Sequence, residues 1–289
     1  MKCVASLIAF LIWLSPLSVL AVELRWNPDG IEQLVYKTAA EVDITDRLGE
    51  FEPKLWLENP VEFDRMIARL KRLPLRDEYL SYHSRLKALD GGRILRVKMV
   101  GVPVRFKGEP ADEREAELRD FVDLFNGTIR LQGDMDLTGN SAELTFYRAP
   151  KERNIMTQFF YLPGGDVSVG DHWPLPVQPI ELGAGFFVQD GAIHNRVMLT
   201  GLRPSAAGTV AELRYLVNER VEGYVERLAN TQPGRLPYSL NVTLFGYGEF
   251  LVEKGHWLRQ VTVIDYAGGG HTEMHKQQLF ALELDERAD

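Results

Sequence analysis

Apolar positions recur with two different periods along this chain. In the first half, Phe63, Met66, Ile67 and Leu70 fall at helical spacing behind Asn59-Pro60-Val61-Glu62. That tetrapeptide offers an N-cap, a proline at the first helical position and a glutamate at N3, and it predicts a helix from about Pro60 to Leu73. A second stripe, Leu118, Phe121, Val122 and Phe125, starts near Asp112 and meets Gly127, a natural C-terminal stop. Each helix has one apolar face, so each must lie on another layer.

That layer is expected to be a sheet. Thr128 to Leu137 and Ser141 to Arg148 read as strands joined by Thr138-Gly139-Asn140, and Ser84 to Leu89 and Ile94 to Phe106 read as strands flanking Asp90-Gly91-Gly92. After Pro150 the helical signals fade. Strand-like runs follow at Met156 to Leu162, Ile193 to Leu202, Thr209 to Val221, Tyr238 to Val252, Trp257 to Tyr266 and His271 to Leu284. Short links between the later ones, Lys254-Gly255 among them, predict an antiparallel meander, and the long strands suit a large curved sheet. Between Val242 and Phe250 apolar residues occupy both parities, so this strand is either covered on each side or lines a ligand cavity. Gly246 and Gly248 share one face, where missing side chains permit a bend or a close approach.

The expected fold class is α+β, mainly antiparallel β, with one or more large curved sheets and two helices from the first half. The proline- and glycine-rich stretch Pro163 to Pro179 separates a helix-containing β-rich half, 22–162, from an antiparallel meander, 163–289, unless the two form one continuous domain.

The N-terminus has another purpose. Lys2 precedes the apolar run Val4 to Leu14, Ser15-Pro16 breaks it, and Val19-Leu20-Ala21 supplies a cleavage site, so 1–21 reads as a signal peptide. The run falls short of the roughly 20 apolar residues a bilayer span needs. No transmembrane anchor is expected after cleavage, and the expected location is periplasmic or secreted.

Cys3 is the only cysteine and lies within that segment. The processed chain would therefore have no thiol nucleophile, CxxC pair, cysteine zinc site or iron-sulfur cluster. Its charge would be one unit more negative than the −8 of the whole sequence, with no basic run longer than Lys71-Arg72. Nucleic acid is not an expected partner, because phosphate contacts dominate such binding.

Candidate chemistry is sparse. On a strand, His271, Glu273 and His275 would face one way, as metal ligands can. The outer two would be roughly 13 Å apart at about 3.3 Å per residue, so one ion takes only an adjacent pair without a bend. Asp134-Met135-Asp136-Leu137-Thr138-Gly139 imitates the start of a calcium loop, but Thr145 stands where a bidentate glutamate belongs, and a plain hairpin is the preferred reading. Ser168 lacks a GxSxG context and Gly246-Tyr247-Gly248 lacks the third glycine of a dinucleotide loop. No catalytic residue and no cofactor is assigned. Aromatics crowd the second half, and Trp173, Phe186, Phe245, Tyr247, Phe250 and Trp257 are the candidates for lining an apolar site.

The run Gly165-Asp166-Val167-Ser168-Val169-Gly170-Asp171-His172-Trp173, with Gly246-Tyr247-Gly248-Glu249 and Gly255-His256-Trp257-Leu258, resembles secreted bacterial β-rich proteins of uncharacterised function that carry a V-G-D-x-W motif. The likeness spans roughly Leu162 to Leu284. It implies a bacterial envelope protein with a large twisted antiparallel sheet, broadly similar to periplasmic lipoprotein carriers, and it brings no catalytic residues.

These features lead to the expectation of an exported envelope binding protein holding an apolar ligand, such as a lipid or acyl chain, or a partner protein. A structural component of an envelope assembly is the first alternative. A metal-dependent hydrolase built on His271, Glu273 and His275 is the second.

Overall fold

Strands that follow one another through tight turns pair with their chain neighbours, and in the computed structural model of this chain they do so almost throughout. The structure describes residues 21–27, 34–42, 44, 48, 59–74, 80–102, 108–123, 127–140, 154, 157–182, 185–226, 234–270 and 273–285. Residues 1–20 of the expected signal peptide, the strand Ser141 to Arg148, and the residues Phe125 and His271 lie outside these.

The fold is α+β and mainly antiparallel β. In chain order the strands are β1 (Val22–Glu23), β2 (Leu34–Val42), β3 (Leu80–Leu89), β4 (Ile94–Gly101), β5 (Ile129–Met135), β6 (Asp166–Val167), β7 (His172–Trp173), β8 (Phe186–Ser205), β9 (Gly208–Glu226), β10 (Arg235–Leu251), β11 (His256–Gly270) and β12 (Met274–Leu284). The helices are α1 (Pro60–Lys71) and α2 (Glu113–Asp123). Ten strands form one sheet in the order β5-β4-β3-β2-β12-β11-β10-β9-β8-β7, while β1 pairs with β6 separately. The two sequence halves meet where β12 pairs antiparallel with β2, in a register that sets Leu279 opposite Glu41 and Leu282 opposite Thr38. One sheet therefore runs through both. Among the described residues no helix is long and apolar enough to cross a membrane.

The period-two pattern of β10 to β12 gives the sheet two buried faces. Odd-numbered residues Phe245, Tyr247, Val261, Val263, Leu279 and Ala281 pack under Met66, Ile67 and Leu70 of α1. The helix starts where its sequence says it should: Asn59 Oδ1 accepts the Val61 N–H at 3.1 Å, with Pro60 at the first helical position. It is fastened to the sheet by Lys71 to Glu212 at 3.3 Å, by Arg214 to Asp64, and by Arg259 Nη2 donating to the Leu73 carbonyl at 2.6 Å.

The other face carries a larger core, from Leu131 and Met135 on β5 to Val197 and Leu199 on β8. It is closed by pieces that cross the sheet: Leu24 and Trp26 after β1, Phe159, Phe160 and Leu162, and Leu175 after β7. Trp26 is 1% exposed, and its Nε1 donates to the Phe160 carbonyl at 2.8 Å.

Two local expectations fare differently. The second helix lies where its stripe placed it and Gly127 follows with φ 70°, though the side chains of Leu118, Phe121 and Val122 are outside the described set. Of the run Met156 to Leu162, read as a strand, Met156 lies outside the described residues and residues 157–160 form a helical turn, with the Tyr161 N–H bonded to the Thr157 carbonyl at 3.1 Å. A strand would throw Phe159 and Phe160 to opposite faces. The turn lets both enter the same core at 0% exposure, and that burial overrides the β propensity of the run.

Candidate functional site

The even-numbered face of β10 to β12 is not filled along its whole length. At the Trp26 end, Phe250, Trp257 and Phe160 close it. Toward the start of β10 the sheet and the segments that cross it separate around a cavity of about 320 Å³. Its sheet wall is Leu240, Val242 and Leu244 of β10, Ile264 and Tyr266 of β11, and Gln278 and Phe280 of β12, brought side by side by the antiparallel register. Its opposite wall is Val177, Pro179 and Ile180 with Asn154 and Gln158. Asn154 holds this wall together, its Nδ2 donating to the Gln178 carbonyl at 2.6 Å and its Oδ1 accepting the Gln178 N–H at 3.1 Å. Ile180 is pinned by its N–H donating to Glu219 Oε2 at 2.8 Å.

Polar groups are few and unevenly placed. Lys276, Glu181 and Met274 line the cavity yet are exposed, which puts them at its mouth. Tyr266 is half-buried, and burial, with a smaller contribution from the Glu181 charge, raises its phenol above the usual tyrosine value, so the group remains a neutral hydrogen-bond donor. Gln158 is the exception: its side chain is 1% exposed, and neither Nε2 nor Oε1 has a hydrogen-bond partner. The turn beneath it is held by Gln260 Nε2, which donates to the Gln158 carbonyl at 2.5 Å.

None of the six aromatics singled out in the sequence lines this cavity. Phe245 and Tyr247 are on the opposite face under α1, where burial pushes the Tyr247 phenol up to about 12. Phe250 and Trp257 stack edge to face, 5.1 Å between centroids, inside the larger core. Trp173 packs on the flank of that core, and Phe186 packs against Ile180, Val221 and Val242 behind the cavity wall. The glycine-rich segment before Trp173 is a turn that docks on β8. Asp171 Oδ2 accepts the Ser168 N–H at 2.8 Å, and the Gly170 N–H and the Asp171 carbonyl bond to Leu199 at 2.8 and 3.1 Å.

The histidine strand has a partner that its sequence neighbourhood conceals. His275 faces the α1 side, where its Nε2 lies 2.7 Å from Oδ1 of Asp265, a residue 3% exposed. Asp265 belongs to a cross-strand polar row, Asn218, Thr243, Asp265 and Gln277 on successive strands β9 to β12. Asn218 Nδ2 donates to Thr243 Oγ1 and Asn241 Oδ1, each at 2.8 Å. Glu273 is exposed just before β12, and His271 is outside the described residues. Among the described residues no three His, Cys, Asp or Glu side chains converge as a metal site would require. In the calcium-like turn, Asp134 is taken by a two-point pairing with Arg96 at 2.6 Å, and Asp136 Oδ1 accepts the N–H groups of Thr138 and Asn140.

Comparison with family models, with curated proteins and with solved structures finds no match to this chain.

Proposed function

We propose that this chain is an exported bacterial envelope protein, delivered by its first 21 residues to the periplasm or beyond, that holds an apolar ligand such as a lipid or acyl chain. The observation that carries the reading is the cavity of about 320 Å³, walled by valine, leucine, isoleucine and phenylalanine side chains and open where Lys276 and Glu181 are exposed. Its size is at the lower end of the roughly 300 to 1,000 Å³ typical of small-molecule sites, which fits a single chain better than a whole two-chain lipid. The apolar leader and the likeness of the V-G-D-x-W segment to secreted β-rich proteins support the same reading.

The purified protein is expected to bind N-phenyl-1-naphthylamine saturably, with enhanced fluorescence. Val242→Trp, which fills the cavity from its sheet wall, is expected to weaken that binding at least tenfold while leaving the circular dichroism spectrum in place. Wild-type protein that shows no saturable binding would remove the proposal.

A partner protein is the second reading, and the sheet edge favours it. Among the described residues the short strand β7 pairs with β8 at Val197 and Met198 and no strand pairs along the outer side of the first part of β8, where Phe187, Val188 and Ile193 are 43%, 51% and 57% exposed. Such an edge can accept an added strand. Under this reading Ile193→Lys abolishes co-purification of a partner from envelope extracts without affecting probe binding; retention of the partner by that variant tells against it.

A further inference from the structure

Between a bulge and a short strand, β8 presents one stretch of regular backbone on its outer side. The bulge is at Gln189, which has no partner on β9 while Val188 pairs with Gly223 and Asp190 with Glu222. At the other end β7 occupies the outer side at Val197 and Met198. After Trp173 the chain leaves that side. Leu175 bonds to the side chain of Asn195, its N–H donating to Oδ1 at 2.9 Å and its carbonyl accepting from Nδ2 at 2.7 Å, and not to the β8 backbone. Among the described residues no strand therefore pairs along the outer side of 190–196. Residues 187–193 are exposed on both faces of the sheet, valine and isoleucine included. An uncovered apolar strand edge is a pairing template.

The charges choose what pairs with it. Asp190, His194 and Arg196 lie on the α1 side, opposite Glu222, Asn218 and Leu216 of β9. Asp190 thus faces a like charge, and Arg220, which feels the Asp190 charge, already donates to Glu222. Among the described residues neither Asp190 nor Arg196 has a salt-bridge partner. The open stretch 190–196 is centred on Ile193, with Asp190 and Arg196 at its two ends. An antiparallel copy of the same stretch, related by a twofold axis through Ile193, sets Asp190 opposite Arg196 twice on the α1 side and Ile193 opposite itself on the other face. Cross-strand pairs of opposite charge stabilise such a ladder.

We propose that the β8 edge recognises itself: two copies of this chain pair antiparallel through 190–196 and join their sheets into one. The bulge at Gln189 bends each strand away before it meets β7 of the other copy. This gives the partner reading above its occupant, a second copy, and it does not depend on the apolar cavity.

The test is sedimentation velocity of the purified protein up to about 100 μM, where even weak specific pairs assemble. The wild type is expected to sediment as a dimer. Asp190→Arg and Arg196→Asp, both changes of exposed side chains, each set like charges opposite one another at both ends of the ladder. Each is expected to weaken self-association at least about tenfold. Mixed in equal amounts, the two variants regain both opposite-charge pairs, so the mixture is expected to form a dimer with one copy of each. Circular dichroism of each variant checks the fold. A wild type that stays monomeric at the highest concentration overturns the proposal and leaves a different protein as the occupant of the edge. A dimer that neither variant weakens, or that mixing fails to restore, overturns it as well, because the copies then meet through another surface. A wild-type dimer that binds no N-phenyl-1-naphthylamine removes the ligand reading and leaves the self-pairing standing.

Discussion

Replacing Trp26 with alanine is expected to cost about 3 to 5 kcal/mol of folding stability through lost burial and the resulting cavity. A further penalty arises because its indole N–H is the donor to the buried Phe160 carbonyl, at 2.8 Å. The ring is 1% exposed and makes edge-on contacts with Tyr36 and Phe250, with centroids 6.4 and 6.2 Å away, and a tilted contact with Phe160 at 5.9 Å. It is the bolt between the segment after β1, the turn at residues 157–160 and the sheet. A domain is stable by only about 5 to 15 kcal/mol, so this one change brings the protein close to unfolding. Guanidinium titration followed by circular dichroism measures the loss, and Trp26→Phe should recover part of it by refilling the space. A loss below about 1 kcal/mol for the alanine variant would contradict the role given to this ring.

Gly139→Ala is expected to damage the same junction from the other side. Gly139 has φ 73°, and a Cβ there would lie 1.7 Å from the Phe160 carbonyl oxygen and 2.3 Å from its carbon. These are backbone atoms, so no side-chain rotation relieves the overlap. The loop itself is fixed, with Asp136 Oδ1 accepting the Thr138 N–H at 2.8 Å and the Thr138 carbonyl accepting the Leu162 N–H at 2.7 Å. Either the loop or the turn at 157–160 must move, and moving the turn re-aims Gln158. The left-handed backbone alone costs an alanine about 1 to 2 kcal/mol. Gly91→Ala isolates that component, because Gly91 has φ 66° with nothing within 4 Å of its Cβ position. The expected result is a loss at Gly139 exceeding that at Gly91 by at least about 2 kcal/mol, together with weakened probe binding, in parallel denaturation and fluorescence titrations. Comparable losses at the two positions would show that the close approach is not limiting. Because Trp26 and Gly139 act on one carbonyl, the double variant should lose less than the sum of the two.

Several features of this fold are legible in the residues themselves. The cap at Asn59 and the stripe through Leu70 define α1 because both signals are local to a few turns. The paired glycines of β10 mark close approaches: a Cβ at Gly246 would meet the Val261 carbonyl oxygen at 2.1 Å, and one at Gly248 would meet the Trp257 ring at 2.6 Å. The two-sided apolar pattern of that strand left a choice between cover on both faces and a cavity wall. Both hold, since Phe245 and Tyr247 are under α1 while Val242 and Leu244 line the cavity.

The cavity residues were not legible, and the reason is physical. Large aromatics gain most from complete burial, and Phe250 and Trp257 are both 0% exposed. The space beside them is bounded by smaller side chains, Val242, Leu244 and Ile264, that do not reach across it. Asp265 was hidden for a related reason: between Ile264 and Tyr266 it reads as an ordinary strand position, and only the pairing of β11 with β12 brings His275 to it.

By itself the sequence determined the long strands β8 to β12, the strands on either side of Asp90-Gly91-Gly92 and the first helix, because each depends on propensity, period and capping within a short window. The tertiary structure alone decided that β12 closes on β2, that residues 157–160 coil into a turn, and that Val242, Leu244, Ile264 and Phe280 border an apolar hollow. A period of two says which side of a strand is apolar; what covers that side, and where the cover falls short, depends on segments more than a hundred residues apart, as Trp26 and Phe160 are.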